Sequence, residues 1–181
     1  MIQPTATAKP LWLRILQFPL TRIVVLGAVV FVMMMLNNSF MLKLKPTPLL
    51  SIAATIGMGL LAITLYAGWG KFIERRPVRE LSLPGMGREW ATGVMIGGGL
   101  IASCVLILFV LGMYRIEGLN PWTFLLPAVA MALSSGTFEE LFFRGILFKS
   151  IEDLFGSWIS VIVSSLVFGF VHLLNPEGTI V

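Results

Sequence analysis

An all-α protein, a polytopic membrane helix bundle with about five transmembrane segments, is the fold class this sequence predicts. Three observations predict it. Of its 181 residues, 57% are hydrophobic and only 12% are charged, where an average soluble domain has about 25% charged residues. The apolar residues fall into long runs, most of them near the roughly 20 residues that a helix needs to cross ~30 Å of hydrocarbon. None of these runs alternates with period two, which argues against a β-barrel. The net charge of +4 is no sign of nucleic-acid binding, because most of its cations lie in loops beside apolar segments, where they set orientation.

The elements follow in order. Residues 1–19 read as an N-terminal cytoplasmic tail, loose over Met1–Pro10. The first apolar segment, Leu20–Met41, has no small-residue cleavage site and runs into Asn37-Asn38-Ser39-Phe40, so it is expected to be an uncleaved helix and not a signal peptide. Pro46 and Pro48 mark a short turn before the second segment, Leu49–Lys71. The polar stretch from Lys71 to Trp90 mixes both signs of charge with Leu81, Leu83 and a Pro84-Gly85 turn. It reads either as an interfacial segment or as a plain cytoplasmic loop. A third segment covers Ala91–Met113, and Asn120-Pro121 closes the region 20–120 of N-terminal transmembrane helices and loop. Trp122–Phe148 and Gly156–Leu174 are the fourth and fifth segments, within a region 121–181 that carries the chemistry.

With the N-terminus inside, ten basic residues lie on the inner side and only Lys43, Lys45 and Arg115 on the outer. The positive-inside rule then places the N-terminus in the cytoplasm. The glycines Gly57, Gly59, Gly93 and Gly97–Gly99 are read as close-packing positions between membrane helices. Met33-Met34-Met35 read as lipid-facing or packing residues, and the single cysteine, Cys104, as a small packing residue with no partner for a disulfide.

The chemistry is concentrated in Glu139-Glu140-Leu141-Phe142-Phe143-Arg144. Two carboxylates and a guanidinium stand inside an apolar run, where each ionisable group costs ~2.5–3.5 kcal/mol on insertion scales. Such groups persist when they pair, line a wet cavity or do chemistry. On a helix, Glu140 and Arg144 are at i and i+4, close enough for an ion pair, while Glu139 points about 100° away. Glu140 is thus anchored and Glu139 faces a cavity, where a desolvated carboxylate suits a general base. The only histidine, His172, lies in the next segment. Phe168 at i−4 would wall the cavity, and Asn175 at i+3 would add an amide to the same face. An imidazole there could bind a metal or hydrogen-bond a water. A purely structural ion pair is the alternative reading of the acidic group.

Glu139-Glu140-x-x-x-Arg144, with Phe142-Phe143-Arg144-Gly145 around it and Phe168-x-x-x-His172 after it, resembles the CPBP family. This family comprises CAAX prenyl proteases and bacteriocin-processing or immunity membrane proteins. The likeness is strongest from about Ala130 to Pro176. It implies an intramembrane endopeptidase with a cavity open to the cytoplasm. Glu139 would activate water with the help of His172, and Arg144 would hold Glu140. A zinc ion is the cofactor it leaves open, with Glu139 and His172 as its ligands. The resemblance implies a peptide or membrane-protein substrate, embedding in a bilayer, and the cell membrane of a bacterium. The family's third motif, a His followed four residues later by Asn or Asp, is missing from these 181 residues. A C-terminally incomplete core, or completion by another chain, is therefore expected. A non-catalytic immunity or scaffold protein is the competing function, and a proton-coupled transporter a weaker third.

Overall fold

A computed structural model describes residues 10–44 and 47–173, and every regular element in them is helical. The loose-tail reading of Met1–Pro10 and the amide of Asn175 lie, for the most part, outside the described residues. The helices form two compact units, one of Met1–Pro77 with Leu125–Val181 and one of Val78–Phe124.

In the first unit a short helix, α1 (Leu11–Leu16), precedes α2 (Pro19–Lys43) and α3 (Pro48–Gly68). Both long helices begin on a proline at their first turn, where the missing N–H would have no helical partner anyway and φ is already set. A π-helical turn, Trp69–Glu74, extends α3. Arg75 then ends it with φ 55°, a left-handed conformation that costs a non-glycine residue ~1–2 kcal/mol.

The second unit holds a 3₁₀ turn at Arg79–Leu81, then α4 (Met86–Val110), then a 3₁₀ turn at Trp122–Phe124. Gly85, at φ 86°, starts α4. Residues 86–90, assigned from sequence to the polar stretch, are therefore helical. A helix ends where its hydrogen bonds end, and the change in hydropathy at Ala91 does not stop it. Cys104 is exposed on α4 and a Cβ at Gly93, Gly97, Gly98 or Gly99 would meet nothing within 4 Å.

Back in the first unit, α5 (Leu125–Glu140) runs without a break into a π-helical segment, Leu141–Phe148, and then into α6 (Lys149–Phe155). Gly156, at φ 82°, breaks the chain before α7 (Ser157–Leu173). Among the described residues, three helical stretches are long and apolar enough to cross a membrane: Pro19–Lys43, Pro48–Glu74 and Met86–Val110. The protein is therefore an integral membrane protein. Ser157–Leu173 is a shorter apolar helix.

The core lies where α2, α3, α5 and the segment Leu141–Phe148 meet, around Val30, Ala62, Tyr66, Phe138 and Ile146. Small residues permit the approach. A Cβ on Gly27 would stand 3.2 Å from the Phe142 ring, one on Gly59 3.1 Å from Thr137, and one on Gly145 3.2 Å from Tyr66. Gly59 thus packs as the sequence suggests, while Gly57 faces open space. Met33 is buried and Met35 exposed.

A polar cluster ties the ends of these helices together. Arg22, at the start of α2 and 4% exposed, pairs through Nε with Glu74 and through Nη2 with Asp153 of α6 at 3.0 Å. Glu74 also binds Arg76 and accepts from the Trp69 indole at 3.1 Å. Arg76 reaches Tyr66 Oη at 3.3 Å, and Tyr66 donates to the carbonyl of Gly145 at 3.0 Å. Asn37, fully buried, donates to Ser134 Oγ at 2.8 Å and so links α2 to α5.

Replacing Arg22 by methionine removes the more buried of the two guanidiniums on Glu74 and leaves that carboxylate to Arg76 alone; removal of one member of a buried pair costs up to about 3–5 kcal/mol. Unfolding in mixed micelles should show a loss of that order for Arg22→Met, and a much smaller one for Gly57→Ala. At the surface, Glu152 accepts from Ser157 at 2.7 Å and from Lys149 at 3.1 Å. The Ser157 hydroxyl first, then Lys149, holds its carboxyl below the ordinary value. Its contribution is therefore full above the unfolded-state pKa and is lost as pH falls through the folded one. Acid titration of stability should show this loss in the wild-type chain and a shallower slope in Glu152→Gln.

Candidate active site

The last turn of α5 sets the acidic residues. Phe138 is buried to 1% exposure and fixes the helix against the core. Glu139 follows it half-buried, and Glu140 is exposed. Ser135, one turn earlier, donates to Glu139 Oε1 at 2.6 Å. Arg144 Nη1 lies 3.0 Å from Glu140 Oε2. Ser135 orients the first carboxylate and Arg144 the second. The π-helical backbone begins directly after Glu140, and such turns interrupt α-helices frequently at functional sites.

Facing this run is α7. Its residues Val161, Ser164, Ser165, Phe168 and Gly169 line an open cavity of about 560 Å³ with Ser135, Gly136, Glu139, Glu140, Phe143, Arg144 and Phe148. Phe168 meets Phe143 edge to face, with ring centroids 4.9 Å apart. The two rings close one side while the hydroxyls and carboxylates supply hydrogen-bond partners for water. A second cavity, of about 580 Å³, is lined by residues of α2, α3 and α5, including Met34, Asn38, Met41 and Met131. Ser135 and Glu139 line this one also, so the Glu139 carboxylate borders both spaces.

Of the residues singled out from sequence, Glu139, Glu140, Arg144 and Phe168 come together in one cavity. His172 does not join them. It is exposed and absent from the lining, and its ring stacks on Phe168 at 4.2 Å between centroids. His172 Nδ1 stands 2.9 Å from the Phe168 carbonyl oxygen. A carbonyl only accepts, so Nδ1 is the donor in this contact, and Nε2 is the ring nitrogen left to meet other groups. His172 is on the stripe formed by Phe168 and Ser164, one turn further along α7. The i, i+4 spacing sets that stripe, but not how far along it the opposite helix reaches. Asn175 lies outside the described residues. Ser135 and Ser164, which the sequence offers as packing positions with a site role possible, both line the cavity. The i, i+4 relation of Ser135 to Glu139 is the signal that points to the first.

No group of three or more His, Cys, Asp or Glu side chains among the described residues is placed to hold a metal ion. Glu139 and His172, the ligands the resemblance implied for zinc, lack a third partner there, and the residues present do not fit a zinc site.

Residues 121–181 match the family model described as Type II CAAX prenyl endopeptidase Rce1-like. The match takes in α5, the π-helical segment, α6 and α7. No curated protein and no solved structure matches the chain.

An open cavity lined by carboxylates and hydroxyls admits water, so a thiol at Ser165 should be reachable by charged reagents. In a Cys104→Ala background, Ser165→Cys should react with a membrane-impermeant methanethiosulfonate at a rate near that of an exposed thiol. A cysteine at Ser150, which is fully buried, should not react.

Proposed function

We propose, from an Rce1-like domain over residues 121–181, that this protein is an intramembrane endopeptidase that uses a carboxylate to activate water. The observation that carries the reading is the cavity in which Glu139, Glu140 and Arg144 face the hydroxyls of Ser164 and Ser165. Glu139 has no ion-pair partner there among the described residues. It takes a proton from a cavity water as the water oxygen attacks a peptide carbonyl. The same carboxyl then returns the proton to the departing amine, so the carboxylate is regenerated. Arg144 occupies Glu140 in an ion pair, which leaves Glu139 as the base. His172 hydrogen-bonds through Nε2 to a water or to the substrate beside the Phe168 wall. Substrates are small peptides or membrane-protein segments without a prenyl group. The five apolar segments lie in a bacterial cell membrane with the N-terminus in the cytoplasm, and the cavity opens to that side.

A second reading is favoured by the position of His172 outside the cavity lining. In it the same polar cavity binds a toxin peptide or a membrane partner without hydrolysis, as an immunity or scaffold protein.

Cleavage of a peptide library by the purified protein in detergent tests the first reading. A general base contributes about 10²–10⁴-fold, so Glu139→Gln should reduce cleavage by that order with folding retained, and His172→Ala should also reduce it. Unchanged cleavage in Glu139→Gln contradicts the assignment. In a growth-protection assay against a bacteriocin, full protection by Glu139→Gln marks the scaffold.

A further inference from the structure

Away from both cavities, cations and aromatic rings collect where α2 begins and α3 ends. Gln17 Nε2 donates to the carbonyl of Ile73 at 2.7 Å, which holds the end of α1 against the π-helical turn Trp69–Glu74. Arg14 of α1 and Lys71 and Arg75 of the turn are all exposed. The acids nearest in this part of the fold are already engaged: Glu74 by Arg22 and Arg76, and Asp153 by Arg22 and Lys149. Among the described residues no carboxylate pairs with Arg14, Lys71 or Arg75.

Exposed apolar side chains share these two elements with the cations. Trp12 on α1 and Phe72 on the turn are exposed, as are Leu11 and Ile15. Lys71 Nζ sits 5.7 Å from the centre of the Phe72 ring. Arg75 holds its place in a left-handed conformation that glycine would adopt without strain. Unneutralised cations flanked by exposed tryptophan and aliphatic groups match the boundary between headgroups and acyl chains. A free phosphate would use the cations and leave the apolar groups unsatisfied. A second protein surface would require acids to complement three like charges.

We propose that α1 and the turn Trp69–Arg75 form a docking site for an anionic phospholipid. Arg14, Lys71 and Arg75 hold its phosphate, and Trp12 and Phe72 lie against its acyl chains. The site is independent of the hydrolytic reading and does not stand or fall with it.

Native mass spectrometry of the 181-residue chain, released from micelles containing equal dioleoyl phosphatidylglycerol and dioleoyl phosphatidylcholine, reads the preference directly. The wild-type chain should retain phosphatidylglycerol in preference. Lys71→Gln, then Lys71→Gln with Arg75→Gln, then the triple variant with Arg14→Gln should each lower that preference by roughly fivefold. Lys43→Gln, at the opposite end of α2, should leave it unchanged. Equal retention of both lipids, or a triple variant that behaves as wild type, overturns the proposal. So does equal capture of soluble glycerol phosphate, or a lipid-free dimer that the triple variant loses. Lys71→Gln changes an exposed side chain, so the first step remains readable if the triple variant does not fold.

Discussion

A carboxylate inside an apolar helix must be paired or wet, and the arrangement around α5 and α7 answers to that constraint. Glu140 is paired, by Arg144 at 3.0 Å. Glu139 is hydrogen-bonded to Ser135 at 2.6 Å and borders open space on two sides. Phe138, immediately before them, is almost wholly buried, so three consecutive side chains face core, cavity and ion pair in turn. A straight helix with no facing cavity would leave Glu139 in lipid at a penalty that one hydrogen bond from Ser135 does not offset.

The opposite solution is used at the ends of the helices. Arg22 and Glu74 are paired out of solvent, and Arg22 reaches from there to Asp153 at the surface. Buried pairs of this kind are poor sources of net stability, yet they penalise any arrangement that separates them. Here the cluster holds α2, the end of α3 and α6 in one register. Through Arg76 and Tyr66 it extends to the Gly145 carbonyl, next to the arginine that anchors Glu140. The ion cluster and the candidate site are thus joined by a chain of direct contacts along the segment Leu141–Phe148.

Several of these features could be read in the residues alone, and their common property is locality. Long apolar runs give α2 and α3 because a membrane helix has to satisfy its backbone internally. The Glu140–Arg144 pair and the Phe168–His172 stack follow from i, i+4 spacing. What sequence concealed depends on distant partners. Arg22 finds Glu74 52 residues away and Asp153 131 residues away, and no periodicity announces either. The two π-helical turns break the 3.6-residue rhythm on which facing arguments rest. The place of His172, beside the cavity and outside its lining, depends on how α7 sits against α5. Gly59 and Gly145 carry close contacts while Gly57 and Gly97 do not, a distinction made only by the opposing helix.

The hydration of the Glu139 carboxylate is the claim on which the functional reading turns. Water-edited solid-state NMR of the glutamate-labelled chain in lipid bilayers measures it most directly. Polarisation should pass from water to the Glu139 carboxyl carbon nearly as fast as to exposed Glu89. Transfer as slow as for a side chain in contact with acyl chains would show a dry carboxylate and contradict the account.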